Sequence, residues 1–404
     1  MEASTSDASP PRRGDAVSIA AVLAAAMAIG TVMQFVLGAL APFLTTDLGL
    51  GRASVGMLTA ILFTVAGLAS PVLGTLVDRV SIRASMLVLL GSSTAAFLLM
   101  TSATAYWLLV LAMVIAGIPQ ALANPVTNRA VTLHTSLVAR GLVMGSKQSG
   151  VQLGAFVAGM SLPFLASALD WRAAAGIVAV VTGLAALVLP LRFPRRSCEV
   201  LSGDEEQEST DGHEVRSVVS WLGVYAFFMG GGMSALQTYL PLYAFERLGF
   251  SAALAGTLVA IMGFIGVGAR IVWGDIGNRA TRLTRPLMVL AVGSLLGLVL
   301  IMLAGVLAPW LLWPGLFLLG GTAASWNVVA MVALVRTLPA SQAGRGSGLF
   351  LVGFFLGFVV APPVFGITVD LTESYTVAWA IAAALFAVGS IVPIQWQRRI
   401  RQAR

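Results

Sequence analysis

Apolar stretches long enough to cross a bilayer alternate with short polar breaks along nearly the whole chain. Each stretch runs 18 residues or more, which as a helix covers about 30 Å of hydrocarbon. In hydrocarbon every backbone amide must be satisfied within the fold, so such stretches are helices or barrel strands. They lack the two-residue alternation of barrel strands, and they are too long for one. The pattern predicts twelve spans, near residues 16–43, 54–77, 84–103, 106–129, 142–166, 172–192, 217–244, 252–274, 286–306, 310–336, 347–369 and 375–396. The expected fold is therefore an all-α membrane protein.

One polar break is longer than the rest. Residues 193–216 hold Glu199, Asp204, Glu205, Glu206, Glu208, Asp211 and Glu214, seven of the 17 acids of the chain. This reads as a flexible acidic linker between two bundles of six helices. The expected division is a tail at 1–15, a first bundle at 16–192, the linker at 193–216, a second bundle at 217–396 and a tail at 397–404.

Composition agrees with this reading. The chain is 58% hydrophobic and 10% charged, where a soluble domain carries about 25% charged residues. The net charge of +7 could suggest nucleic acid, but its placement argues for a membrane. Of 24 basic residues, 17 fall in the tails and loops on the N-terminal side of the predicted spans, and only Arg52, Arg172 and Arg247 fall on the other. That asymmetry puts both termini in the cytoplasm of a cell whose inner membrane holds the protein. Cys198 is the single cysteine, and His134 and His213 are far apart. No thiol or histidine metal site is expected, and no cofactor.

The two halves repeat. Gly74-Thr75-Leu76-Val77-Asp78-Arg79 is echoed by Gly274-Asp275-Ile276-Gly277-Asn278-Arg279. Residues 30–79 laid on 230–279 give 14 identities in 50 positions without a gap, among them Gly30/Gly230, Leu48/Leu248, Gly49/Gly249 and Gly56/Gly256. That is roughly three times chance for this composition. Further along, Asn124 matches Asn327, Gly150 matches Gly353 and Gly154 matches Gly357. Two pseudo-symmetric membrane halves in parallel repeat are the geometry of a secondary transporter.

The Gly74–Arg79 phrase, its echo, the twelve spans and the acidic middle loop resemble the major facilitator superfamily over nearly the whole chain. Arg140-Gly141 and Arg345-Gly346, entering spans five and eleven, fit the same resemblance. It departs in three places. Ser81 and Ile82 replace a Gly and an Arg in the tail of the loop phrase, although Arg83 is kept. Met113, four residues before Gly117, stands where proton-driven drug antiporters carry an arginine. The run Gly150-Val151-Gln152-Leu153-Gly154 lacks their Gly-Pro pair. The resemblance implies a gate at the cytoplasmic face made of Gly74, Asp78, Arg79, Arg83, Gly274, Asn278 and Arg279. In it, Asp78 would face the N-terminus of span eleven near Gly346 and Ser347, where free amides and the positive end of the helix dipole attract a carboxylate. Asn278 is neutral, so the latch would be lopsided.

Candidate substrate residues follow from what is polar inside the spans. No Asp or Glu lies in the central part of any span. Charges at mid-membrane are costly and mark function where they occur, and here the embedded charges are all positive. Lys147 is the only lysine of the chain, about 10 Å into span five. Gln148 and Gln152 share a helix face. Gly150 and Gly154 lie nearly opposite and suit close packing against a neighbouring helix. Arg270 lies one turn before Gly274, and Arg129 and Arg336 end spans four and ten, where pairing with loops or headgroups is expected. The resemblance implies that spans one, four, seven and ten line a central cavity, which adds Gln34, Asn124, Gln237 and Asn327. The expected function is alternating-access transport of a small solute, a small organic or inorganic anion, by symport or exchange. A proton or other ion would be the co-transported partner, the lipid bilayer the surroundings, and the protein a monomer. Export of drugs or metabolites is the alternative, and a non-transporting sensor or scaffold a third. No nucleophile–base set points to an enzyme.

Overall fold

The structure is a computed structural model, and it describes residues 13–135, 137–193, 212–337 and 340–402. The acidic residues of the linker from Glu199 to Asp211 lie outside the described residues. Among the described residues are eleven helices long and apolar enough to cross a membrane, and a bent pair makes a twelfth. Span 1 is that pair, Arg13–Thr31 and Met33–Leu48, bent by 46° at Val32. Spans 2 to 6 are Arg52–Arg79, Ile82–Thr101, Tyr106–His134, Leu137–Ala168 and Trp171–Val188, the last running into the 3-10 turn Leu189–Arg192. Spans 7 to 9 are Gly212–Arg247, Ala252–Arg279 and Thr284–Ala304. Span 10 is discontinuous, Leu312–Gly321 followed by Trp326–Thr337, after a 3-10 turn at Pro309–Leu311. Spans 11 and 12 are Ala340–Thr372 and Tyr375–Gln402. Most helices overrun the apolar stretches by several residues, because a helix does not end where the hydrocarbon does. An even number of spans puts both termini on one face, here the termini face; the other is the far face.

The repeat is structural as well as sequential. Residues 61–80 and 261–280 have the same pattern of burial at all 20 positions. The Leu-Gly pair that ends spans 1 and 7 has a local cause. Gly49 and Gly249 have φ of +63° and +72°, the only two positive-φ glycines among the described residues. A left-handed residue after the last turn lets the chain reverse and uses the freed carbonyls, and glycine takes it without strain. At span 7 the Phe250 amide returns to the Ala244 carbonyl at 3.1 Å.

Glycines also set how the halves meet. A Cβ on Gly38 of span 1 would sit 1.9 Å from the Gln237 carbonyl of span 7. One on Gly56 of span 2 would sit 2.3 Å from the Pro362 carbonyl of span 11. One on Gly159 of span 5 would sit 2.3 Å from the Ala260 amide of span 8. Without a hydrophobic drive in lipid, helices associate by such close backbone approach. These contacts close the far half of the molecule. Below them Phe63 of span 2 packs on Phe358, Phe354 and Phe355 of span 11, with ring centroids 4.3, 6.2 and 6.1 Å away.

Candidate substrate site between the two halves

The site is built around the break in span 10. The stretch Gly320-Gly321-Thr322 loosens the helix. The Ser325 amide bonds the Thr322 carbonyl and the Val328 amide bonds the Ser325 carbonyl. In a continuous helix those amides would take the Gly321 and Ala324 carbonyls, so both carbonyls are freed. Span 8 side chains take them. Trp273 Nε1 donates to the Gly321 carbonyl at 2.8 Å, and Arg270 Nε donates to the Ala324 carbonyl at 3.0 Å. Irregular backbone at membrane depth is tolerated where it lines a cavity or is buried in protein.

Arg270 and Gln152 bridge the two halves here. Arg270 Nη1 donates to the Gln148 carbonyl of span 5 at 3.3 Å, and Gln152 Nε2 donates to the Ala324 carbonyl at 3.3 Å. Every acceptor of the guanidinium in these bonds is a neutral carbonyl. None of the ion pairs among the described residues involves Arg270 or Lys147. The Gln148 side chain is exposed and lies 3.5 Å from Asn124 Oδ1 of span 4. Gly150 and Gly154 occupy the other face of span 5 and pack on span 1, where their Cβ atoms would meet the Ala24 and Ala28 carbonyls at 2.1 and 3.2 Å.

Deeper toward the far face, Gln152, Gln237 and Ala324 line a small pocket. Its remaining walls are apolar and include Phe35, Met233, Met262 and Val259. Gln237 Oε1 is buried there without a partner, and Asn327 Oδ1 is likewise buried and unpartnered on span 10. Such orphans are rare in native structures. Gln34 is buried, 7% exposed.

Lys147 stands apart from this group. It is fully buried inside the first half, and its ammonium donates to Thr127 Oγ1 at 3.0 Å and to Asn128 Oδ1. The structure thus gathers Asn124, Gln148, Gln152 and Arg270 around the gap between spans 5, 8 and 10. Lys147 lies behind Gln148 and reaches the gap only through Asn128, whose side chain is exposed.

The gate residues lie where spans 2 and 8 reach the termini face. Asp78, Arg79, Asn278 and Arg279 are exposed, Gly74, Arg83 and Gly274 are partly buried, and Arg279 Nε donates to Asp275 at 2.9 Å. Gly346 and Ser347, expected at the N-terminus of span 11 opposite Asp78, stand six and seven residues into a helix that begins at Ala340, so its free amides come before them. Arg129 and Arg336 do pair with loops, and they do so symmetrically. Arg129 Nη1 donates to the carbonyls of Val77 and Val80 at the end of span 2. Arg336 Nη1 donates to the Gly277 and Ala280 carbonyls at the end of span 8, both at 2.9 Å.

The far face carries a junction that sequence reasoning left as scattered outer charges. Arg52 of span 2 pairs with Glu246 of span 7 at 2.8 Å. Asp370 of span 11 accepts the Arg52 and Ala53 amides at 3.1 and 2.8 Å. The Tyr239 hydroxyl lies 2.7 Å from the Arg52 carbonyl and 2.9 Å from the Pro362 carbonyl, with one proton shared between them, and Tyr375 donates to Glu246 at 3.0 Å. The faint signal was acids at the ends of spans 7 and 11 with a lone arginine at the start of span 2.

Comparison with known proteins agrees with the architecture. Tetracycline resistance protein, class E, of Escherichia coli is 26% identical over 387 residues, 91% of each chain. The probable sulfoacetate transporter SauU of Cupriavidus necator is 25% identical over 386 residues, 88% of this chain and 87% of that one. A bacterial homolog of the human lysosomal transporter Spinster, solved inward-facing and occupied, superposes with a TM-score of 0.77 at 16% identity, covering 96% of this chain and 98% of that one. The nucleoside transporter NupG superposes with a TM-score of 0.75 at 14% identity, covering 94% and 99%. The model of the Major Facilitator Superfamily matches residues 22–362. With twelve spans in two matching halves and that match over most of its length, the chain belongs to the Major Facilitator Superfamily.

Proposed function

We propose that this multi-pass membrane protein is a secondary transporter of a small anion, and that the anion binds between the halves at Arg270. The observation that carries the reading is the Arg270 guanidinium, held between spans 5, 8 and 10 by neutral carbonyls and paired with no carboxylate among the described residues. Arg270 is partly buried within a membrane span; a cation at that depth without a counter-charge is costly, and a ligand that supplies the charge removes that cost. Gln148, Gln152, Asn124 and Asn327 are the amides that would orient the anion, with Gln34 and Gln237 further along the path. Lys147 adds positive potential from behind and holds Asn128.

Transport then proceeds by rocking of the two halves about this site. The far face is closed by Arg52, Glu246, Asp370 and the phenylalanines beneath them. The Asp78 latch, with Gly74, Arg79, Arg83, Gly274, Asn278 and Arg279, would close the opposite face in the alternate state. With the basic loops on the termini side, that face is cytoplasmic and the membrane is the cell inner membrane. The protein works as a monomer, by symport or exchange. The reading is tested by uptake of labelled anions into proteoliposomes. Uptake lost in Arg270→Gln supports it, and normal uptake in that variant sinks it.

A second reading is export of drugs or metabolites. The identity of about one residue in four with a tetracycline resistance protein over nearly the whole chain favours it. Drug resistance that depends on Asp78 and is indifferent to Arg270 would select this reading.

A further inference from the structure

Four exposed arginines gather at one corner of the termini face, away from the gap between the halves. Arg282 and Arg285 stand at the start of span 9, and Arg398 and Arg399 near the end of span 12. Contacts among three helices bring them together. Thr284 Oγ1 of span 9 donates to Gln397 Oε1 of span 12. The Tyr225 hydroxyl of span 7 donates to the Leu287 carbonyl of span 9 at 2.8 Å. The Arg399 guanidinium lies over the Trp221 ring of span 7, 5.5 Å from its centroid. That stacking holds a planar fork of donors in place while leaving it open to the surface. None of the ion pairs among the described residues involves any of the four arginines.

What lies below the arginines decides the partner. On span 9, Arg285, Val289, Val292 and Leu296 recur at the spacing of one helix face, and the three apolar residues are 50%, 39% and 54% exposed. On span 12, Arg398, Ile394 and Ile391 recur in the same way, with both isoleucines exposed. Each stripe begins at a positive charge and runs inward along a membrane span. A soluble anion or a peptide would use the charge alone. A phospholipid uses both, with its phosphate at the interface and its acyl chains below. Basic pockets between membrane helices are known devices for anionic headgroups. The matching corner of the first half is built differently. Arg83 is partly buried, Arg192 donates to Ser18 at 3.5 Å, and among the described residues no aromatic ring carries either of them.

We propose that the corner between spans 7, 9 and 12 is a binding site for an anionic phospholipid. Arg285 and Arg399 hold the phosphate through paired N–H donors. Arg282 and Arg398 add charge beside them, and the acyl chains lie along the two apolar stripes. The site is independent of the substrate and belongs to the second half alone.

The test is native mass spectrometry of the full chain in detergent, titrated with phosphatidylglycerol and separately with phosphatidylcholine of the same acyl chains. Phosphatidylglycerol should bind about tenfold more tightly or better. Arg285→Gln and Arg399→Gln should each weaken it about fivefold, and Arg192→Gln by less than about twofold. Unfolding temperatures without added lipid check that the variants fold as the unmodified chain does. Equal binding of the two lipids, or equal losses in Arg192→Gln and Arg285→Gln, overturns the proposal, because only the general positive bias of this face would then be at work. Displacement of phosphatidylglycerol by an equal concentration of glycerol phosphate also overturns it, since the site would read a soluble phosphate. Phosphatidylglycerol binding that appears only once Asp204, Glu205, Glu206 and Glu208 are replaced by their amides overturns it in favour of the acidic linker as occupant.

Discussion

Asp370, near the end of span 11, caps the start of span 2 by accepting the backbone amides of Arg52 and Ala53. The two helices run antiparallel and belong to different halves. A carboxylate at a helix N-terminus gains both free amides and the positive end of the dipole, up to ~2 kcal/mol when partly buried. The arrangement expected of Asp78 at the other end of the same pair is its mirror image: the last turns of span 2 facing the start of span 11. At the far face this carboxylate is engaged.

Removing that cap should open the far face. In Asp370→Ala, with Cys198 replaced by serine and a reporter cysteine in place of Thr59, labelling by a membrane-impermeant thiol reagent from the far side should quicken roughly tenfold or more. Thr59 is buried against Thr238 of the other half at 3.2 Å, so it is shielded while the junction holds. An unchanged labelling rate would show that the glycine contacts alone keep the face shut.

The arginines at the ends of spans 4 and 10 should matter unequally. Arg129 is 8% exposed, whereas Arg336 is exposed. Charged hydrogen bonds are worth about 1.5–3 kcal/mol, and more is lost where buried carbonyls are left unpaired. Arg129→Ala should therefore lower the thermal midpoint clearly more than Arg336→Ala, with partial rescue by Arg129→Lys. Equal effects would contradict the burial argument.

Glycine 150 tests the packing of span 5 on span 1. Its Cβ would overlap the Ala24 carbonyl at 2.1 Å, and the repeat partner Gly353 would overlap the Gly223 carbonyl at the same distance. Gly150→Ala and Gly353→Ala should each cost about 1–3 kcal/mol. Gly145→Ala, with nothing within 4 Å, should be neutral or stabilising by up to about 1 kcal/mol. These follow from thermal unfolding in detergent, and equal stability of all three variants would refute the assignment.

Much of this was legible in the chain, and the reasons are local. Hydropathy located the spans because one helix must satisfy its own amides in lipid. The Leu48-Gly49 and Leu248-Gly249 repeat was visible as an identity between the halves, and the left-handed turn behind it is seen in the backbone. The Gly150/Gly154 face opposite Gln148/Gln152 followed from 3.6 residues per turn. The break in span 10 was hidden, because Gly320 and Gly321 sit within an apolar run whose hydropathy does not change at the break. The far-face junction was hidden for a different reason. Arg52 lies 194 residues from Glu246 and 318 from Asp370, and only the docking of the halves brings them together. Lys147 looked like the cavity cation because it is the only lysine. Its rotamer carries the ammonium to Thr127 and Asn128, a choice that sequence spacing does not reveal.

The proposed anion site stands on Arg270. The direct measurement is thermal unfolding of the purified chain and of Arg270→Gln against a panel of carboxylates, sulfonates, inorganic anions and cationic drugs. An anion at about 100 times its dissociation constant should stabilise the unmodified chain by ~2.7 kcal/mol. That stabilisation should vanish in Arg270→Gln and be only reduced in Lys147→Ala. Stabilisation by cationic or neutral compounds alone, undiminished in Arg270→Gln, would contradict the claim and select the exporter.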